Sequence, residues 1–320
     1  MTDPVTPPAK PGLPPAAPPA SPGAPPGTQD AAPGSPPVPP RKIREARFTD
    51  ALILLAVFLA CQAVLGVVIS LVVGATRANI GAFAIACVEA GSLAALIPVI
   101  RARLGHRLID FIRYAPVRAG SWVAILVCCA GLILGLRQLE GLVLQLIPMT
   151  SFWRAIFGEL VGASAFAGSL VMAALAAPMV EEVIFRAIIL RGFALHYGKA
   201  PALLYSSLLF GVVHLNPWQF FPAVVLGLFL GALYLRTGTV VISWAAHALY
   251  NGAILVLSRF SSTRALVDAE TSGGISAIGF TMLTAAGVAV FCVGFWLFLR
   301  SSRPAAARPP GPPEGQAWPV

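Results

Sequence analysis

Two adjacent glutamates and an arginine lie in a stretch of sequence that is otherwise apolar. The stretch reads Ala-Ala-Pro-Met-Val-Glu-Glu-Val-Ile-Phe-Arg and contains Glu181, Glu182 and Arg186. On a helix, Glu182 and Arg186 share one face at i, i+4 with the glutamate first, which is the favourable order for an ion pair. Glu181 points about 100° away, so its carboxylate stays available as a general base. A cluster of ion pairs that only holds helices together is the alternative.

Two of the four histidines also lie in apolar stretches. His214 closes Phe-Gly-Val-Val-His, and His247 opens His-Ala-Leu-Tyr-Asn, so His247 and Asn251 share a helix face at i, i+4. Such groups can bond neighbouring helices inside a membrane, but beside a buried glutamate pair they indicate a functional site. We expect the other two, His106 in a loop and His196 at a helix end, to be solvated.

These residue types argue against several protease mechanisms. A serine mechanism needs a Gly-x-Ser-Gly-like nucleophile with a histidine base, and Gly162-Ala163-Ser164-Ala165 is only a loose match. An aspartyl mechanism needs paired intramembrane aspartates, whereas the five aspartates here lie in tails, loops or helix ends. No His-Glu-x-x-His motif of a zinc protease occurs. What remains is water activated by a carboxylate, with imidazole and amide groups to orient it and to stabilise the oxyanion.

The composition indicates that lipid surrounds the protein that carries these groups. Hydrophobic residues make up 57% of the 320 residues and charged residues 11%, and the mean hydropathy is +0.81. So few charges cannot cover a soluble domain of this size. Apolar segments long enough to span a bilayer occur near 50–74, 79–100, 121–147, 164–191, 200–215, 221–236, 239–258 and 276–299. The predicted fold is an all-α, polytopic integral membrane protein with about eight transmembrane helices and a site in an intramembrane cavity.

Three of the predicted segments leave alternatives open. The fifth and sixth are short enough to form a hairpin that does not cross the membrane fully. The third carries Arg137 and Glu140, which either leave the bilayer or pair at i, i+3.

The ends of the chain differ from its middle. Residues 1–40 hold 16 of the 29 prolines and too little apolar surface to fold, so residues 1–47 are predicted to be a disordered cytoplasmic tail that ends in a basic collar. Residues 48–300 form the predicted membrane domain and residues 301–320 a second disordered cytoplasmic tail. Basic residues cluster at the ends of apolar segments, which indicates topology rather than nucleic-acid binding. This pattern predicts a multi-pass plasma-membrane protein with both termini cytoplasmic.

The order and wide spacing of three motifs resemble the signature of the CAAX protease and bacteriocin-processing (CPBP, or Abi) family, which includes the eukaryotic Ras-converting endopeptidase. Each motif alone is weak, but three on separate apolar helices are specific. The resemblance is close over about residues 165–255. The motifs are Glu181-Glu182-x-x-x-Arg186, Phe210-x-x-x-His214 and His247-x-x-x-Asn251.

This resemblance implies an endopeptidase, a hydrolase for intramembrane proteolysis, with a cavity open toward the cytoplasm. It implies that Glu181 activates water together with His214, and that His247 and Asn251 line the oxyanion hole. No cofactor is favoured, because Asn251 is a poor zinc ligand. If zinc is used, Glu181, His214 and His247 would hold it. The other motif residues, in supporting positions, are Glu182, Arg186 and Phe210.

The expected partner is a transmembrane or lipid-anchored peptide that reaches the site by diffusion in membrane lipid. In the eukaryotic relatives it is a prenylated CaaX terminus. Neither the substrate nor the oligomeric state of this chain can be deduced from its residues. Two other hypotheses use the same polar cluster: a non-proteolytic scaffold or bacteriocin-immunity protein would use it for packing, and a transporter would use it as a proton relay.

Overall fold

The computed structural model describes residues 43–76, 81–112, 114–151, 153–154, 166–258 and 277–304. Within these ranges the chain forms helices and turns and no strand. Five of the helices (α1, α3, α6, α7 and α8 in the numbering that follows) are long and apolar enough to cross a membrane, so the all-α, polytopic prediction is confirmed. The eight main helical segments are α1 (Phe48–Thr76), α2 (Gly81–Leu104), α3 (Ala119–Leu146), α4 (166–197), α5 (Lys199–Val212), α6 (Pro217–Thr237), α7 (Val240–Leu257) and α8 (Ala277–Ser301).

Helix α4 carries the glutamate pair and is not a regular α-helix. Two π-helical stretches, Met172–Ala176 and Val183–Leu190, interrupt its α-helical turns. Pro178 follows the first stretch, and since proline has no N–H and clashes with the carbonyl four residues before it, a wider turn there is expected. The second stretch is buried at every residue, so packing by neighbouring helices holds its geometry.

The length of α5 agrees with the sequence prediction, whereas that of α6 does not. Helix α5 has 14 residues, about 21 Å, which is shorter than the roughly 30 Å hydrocarbon core. Helix α6 has 21 residues and begins at Pro217, so the expectation of a short sixth segment was wrong. Its extra turn arises because Asn216 caps the helix, with Oδ1 accepting from the Gln219 N–H at 2.9 Å, and because proline suits the first helical position.

Helix α3 continues through its charged residues. The Arg137 guanidinium and the Glu140 carboxylate pair at 3.0 Å, which agrees with the i, i+3 alternative. The helix then ends at Leu146.

Two apolar clusters form the interior, and the polar residues lie where they meet. The first cluster consists mainly of buried side chains from α1, α2, α4 and α5, among them Leu54, Leu96, Ile184 and Phe210. The second cluster consists of buried side chains from α3, α6, α7 and α8, among them Ile125, Leu230, Ala246 and Phe298. Helix α4 faces α7 across this boundary, so it can present polar groups to the other half of the bundle.

Residues 43–47, at the end of the predicted tail, pack against the helix ends. Ala46 is fully buried, and Glu45 pairs with Arg191 of α4 at 2.7 Å. His106 is also buried, with its ring 4.8 Å from that of Phe111, so the expectation that it is solvated was wrong. The cause is the 3₁₀ turn that follows α2, which folds the loop back. The rest of the predicted tails, residues 1–42 and 305–320, lies outside the described residues.

Close contact between α3 and α8 depends on glycines. A Cβ on Gly131 would lie 2.4 Å from the backbone nitrogen of Phe291, and one on Gly294 would lie 2.6 Å from the backbone nitrogen of Cys128. Small residues let membrane helices approach this closely, so that dispersion contacts between backbones stabilise the pair.

We expect Gly131→Ala to separate α3 from α8 and to lower the free energy of unfolding by about 1–3 kcal/mol. Thermal unfolding of the purified protein in detergent measures this. Gly135→Ala is the matched control, one turn along the same helix, because its Cβ would have nothing within 4 Å. Equal unfolding midpoints for the two variants would contradict the role of glycine at this contact.

Candidate active site

Glu182 is the centre of a fully buried charge network. Its Oε1 atom lies 3.0 Å from the Arg186 guanidinium, the i, i+4 pair expected from the sequence. The same oxygen accepts a hydrogen bond from His247 Nδ1 at 3.0 Å. All three side chains are at most 3% exposed. A buried charge must be paired, since leaving one partner alone costs several kcal/mol, so this network fixes α4 against α7.

The bond to Glu182 determines which nitrogen of His247 is free. A carboxylate can only accept, so Nδ1 carries the proton and Nε2 carries a lone pair in the neutral ring. His247 Nε2 lies 3.7 Å from the Oε2 atom of Glu181. This distance is too long for a direct hydrogen bond. The side chain of Glu181 is 21% exposed, whereas that of Glu182 is fully buried, so the two neighbouring carboxylates have different surroundings.

Phe210 joins the second histidine to this network. Its ring makes edge contacts with the rings of His214 and His247, at centroid distances of 5.2 and 5.6 Å. The Arg186 guanidinium lies 4.5 Å from the same ring, a cation–π distance. His214 Nδ1 donates to the Phe210 carbonyl at 2.8 Å, so its Nε2 is free to accept.

A strained turn holds His214 between α5 and α6. Leu215 has a φ of +55°, in the left-handed region that costs a non-glycine residue about 1–2 kcal/mol. Asn216 stabilises the turn, because its Nδ2 donates to the His214 carbonyl at 2.8 Å. Backbone strain of this kind persists only where the surroundings impose it. The turn therefore fixes the depth and direction of the imidazole.

Asn251 lies one helical turn beyond His247 on α7. Its Nδ2 donates to the carbonyl of Ala173, in the first π-helical stretch of α4, at 2.9 Å. Trp244, on the same helix, donates to the Leu175 carbonyl in that stretch at 3.0 Å. Side chains of α7 thus donate hydrogen bonds to carbonyl groups of the π-helical segment. One amide hydrogen of Asn251 remains for another acceptor.

The structure connects six of the seven motif residues through direct contacts. The seventh, Asn251 of α7, bonds instead to the Ala173 carbonyl of α4. The six in the network are Glu181, Glu182, Arg186, Phe210, His214 and His247.

A further glutamate, Glu89 on α2, was not predicted from the sequence as a site residue. Helix α2 packs against the segment of α4 that carries Glu181. Gln62 of α1 donates to Glu89 Oε1 at 2.9 Å, and the buried Oε2 has no hydrogen-bond partner among the described residues. The position of Glu89 in the apolar segment 79–100 could have identified it. An ionisable residue in a membrane-spanning segment indicates a functional site, and this was the reason for choosing Glu181.

The zinc alternative can be compared with this geometry. Within the described ranges no group of three or more His, Cys, Asp or Glu side chains is arranged to hold a metal ion. The Nδ1 atoms of His214 and His247 are already bonded to protein acceptors. Those bonds leave both Nε2 atoms free, which is also how metal-ligating histidines are commonly held, so the zinc alternative stays a prediction.

Comparison with known proteins gives one match. No curated protein and no solved structure matches the chain. The model of the family described as type II CAAX prenyl endopeptidase Rce1-like matches residues 163–253, the part of the chain that contains all three motifs. This match confirms the family resemblance over residues 163–253, which is less than half of the chain.

Proposed function

We propose that the protein hydrolyses a peptide bond of a membrane-anchored substrate, using water that Glu181 activates. The observation that carries this proposal is the contrast within the glutamate pair. Glu182 is neutralised by Arg186 and bonded to His247, whereas Glu181 is partly exposed and faces the Nε2 atom of His247 at 3.7 Å. A carboxylate that is held in place but not bonded to a cation can take a proton from water.

The reaction follows from these free atoms. His214 Nε2 accepts a hydrogen bond from the water and orients it, while a Glu181 oxygen removes a proton. The water oxygen attacks the carbonyl carbon of the substrate, and the carbonyl electron pair moves to the oxygen. As the tetrahedral intermediate collapses, the C–N bond breaks and Glu181 returns its proton to the leaving nitrogen. The products are a carboxylic acid and an amine.

The oxyanion needs hydrogen-bond donors. Asn251 has one amide hydrogen left after its bond to Ala173. His247 can donate through Nε2 only after that atom receives a proton, because its Nδ1 hydrogen is committed to Glu182. The Glu182 carboxylate would stabilise the resulting imidazolium, while the Arg186 cation opposes it. His247 therefore acts as donor in the charged state and as acceptor in the neutral state.

The positions of the arginines support an orientation with both termini cytoplasmic. The start of α1 meets the end of α2, where the Arg44 N–H donates to the Leu104 carbonyl at 3.0 Å. The start of α3 meets the end of α8, where Ser121 and Ser301 bond at 3.2 Å. Arginines at these helix ends follow the positive-inside rule. They are Arg44, Arg101, Arg103, Arg118 and Arg300.

Helix geometry gives the depth of the site. His247 follows Val240, the first residue of α7, by seven residues, which correspond to roughly 10 Å along this α-helix. A peptide that enters from the arginine-rich end must therefore reach well below the headgroups. The tail of a lipid-anchored protein meets this requirement, because its anchor already lies in the bilayer. A prenylated CaaX terminus, the substrate named in the family description, belongs to this class.

We expect Glu181→Gln to lower proteolysis by about 10²–10⁴-fold, the usual contribution of a general base. New peptide termini are compared in membranes of a strain that lacks the protein and carries either form at equal abundance. Glu140→Gln on α3, the same substitution outside the site, is the control. Identical termini with wild type and Glu181→Gln would reject the protease proposal and favour the scaffold hypothesis.

Glu182→Gln should also lower proteolysis, but by destabilising the folded protein. It leaves Arg186 buried without its partner, and breaking a buried pair costs about 3–5 kcal/mol. The double variant Glu182→Gln/Arg186→Met removes both charges and should recover most of the thermal stability without recovering activity. A double variant no more stable than Glu182→Gln would show that the ion pair is not what stabilises this region.

We expect proteolysis by the purified protein to survive the zinc chelator 1,10-phenanthroline. The reason is that the described residues offer no three-ligand group. Loss of activity that added zinc restores, but that the non-chelating 1,7-isomer does not cause, would contradict this expectation. That result would make Glu181, His214 and His247 the candidate zinc ligands to test.

A further inference from the structure

A cavity lies at the arginine-rich end of the bundle, separate from the glutamates. Its volume is about 380 Å³, and its walls come from the loop before α3, the end of α6 and the residues that follow α8. The polar side chains that line it are Arg118, Ser121, Thr237, Ser302 and Arg303, and no acidic residue lines it. The hydroxyl groups are already bonded within the protein, but two arginines without a carboxylate favour an anion.

The two arginines of this cavity differ from the paired arginines at the same end. Arg44 pairs with Asp50 at 2.7 Å, and Arg191 pairs with Glu45 at 2.7 Å. Arg118 and Arg303 are exposed, and neither guanidinium group has an ion-pair or hydrogen-bond partner among the described residues. Arg236 is held by the Leu299 carbonyl at 3.1 Å and stays near the cavity wall. The cavity therefore has a positive charge that the described part of the chain does not neutralise.

Tryptophans place this cavity at the membrane surface. Trp122 lies one turn inside Arg118 on α3 and is 37% exposed. Trp296, 49% exposed, lies one turn inside Arg300, whose guanidinium sits 4.0 Å from its ring. Tryptophan is enriched at the level of lipid headgroups. Further along α3 the exposed side chains are apolar, with Val123 59% and Leu126 54% exposed.

We propose that this cavity binds the phosphate group of an anionic phospholipid. Arg118 and Arg303 pair with the phosphate oxygens. The acyl chains lie along the exposed apolar face of α3. A free phosphate ion would share the arginine contacts but would make no use of that apolar face, so the lipid is the occupant that fits both features.

The test uses the full-length protein, purified in a neutral detergent and titrated with phosphatidylglycerol, phosphatidylcholine or inorganic phosphate. Bound lipid is counted by native mass spectrometry. We expect phosphatidylglycerol to bind in preference to phosphatidylcholine, and Arg118→Gln/Arg303→Gln to bind it at least about tenfold more weakly, since each surface arginine contributes about 1 kcal/mol toward an anionic lipid. Arg154→Gln, an exposed arginine that does not line the cavity, should bind as the wild type does.

Three results would overturn the proposal. They are phosphatidylcholine binding as tightly as phosphatidylglycerol, the double variant keeping wild-type affinity, and millimolar phosphate displacing the lipid completely. The last result would assign the cavity to a free anion instead. Should the double variant unfold, Arg303→Gln alone carries the test, because Arg303 lies beyond the end of α8. None of these measurements depends on proteolysis, so the outcome is separate from that of the proposed function.

Discussion

The buried contact among Glu182, Arg186 and His247 is the constraint on which the rest of the site depends. A lone charge inside a bilayer is expensive, so the glutamate and the arginine must remain together at 3.0 Å. The imidazole bonded to the same carboxylate oxygen joins α7 to α4. Moving any of the three exposes an unpaired charge to an apolar interior. The same three residues therefore hold the two halves of the bundle together and organise the active site.

That constraint gives the neighbouring glutamate its distinct character. Adjacent residues on a helix point in different directions, so the pair that fixes Glu182 cannot also fix Glu181. The second π-helical stretch begins directly after the pair, at Val183, and π-turns recur at functional positions in helices. Glu89 adds a third carboxylate on α2, anchored by Gln62. The site therefore receives groups from α1 and α2 as well as from the three motif helices.

The parts of the structure that follow from local chemistry could be predicted from the sequence. The eight apolar segments, the Glu182–Arg186 spacing and the short α5 needed only hydropathy and helix periodicity. Other features depend on contacts between distant segments. The bond from Asn251 to Ala173 requires a π-helical carbonyl, and the burial of His106 requires the turn that contains Phe111. Glu89 could have been found, but its partner on another helix could not. The catalytic roles of the motif residues remain predictions.

The shortness of α5 explains why a histidine can lie at this depth. A full-length span would carry His214 to the far membrane surface, whereas a helix of 14 residues ends within the bilayer. There the backbone must satisfy its own hydrogen bonds, and it does so at each step. The His214 N–H donates to Gly211, the Leu215 N–H donates to Val212, and the His214 carbonyl accepts from Asn216. Irregular backbone at membrane depth is tolerated where protein buries it or where it lines a cavity. The turn is thus the reason that His214 is positioned at this depth.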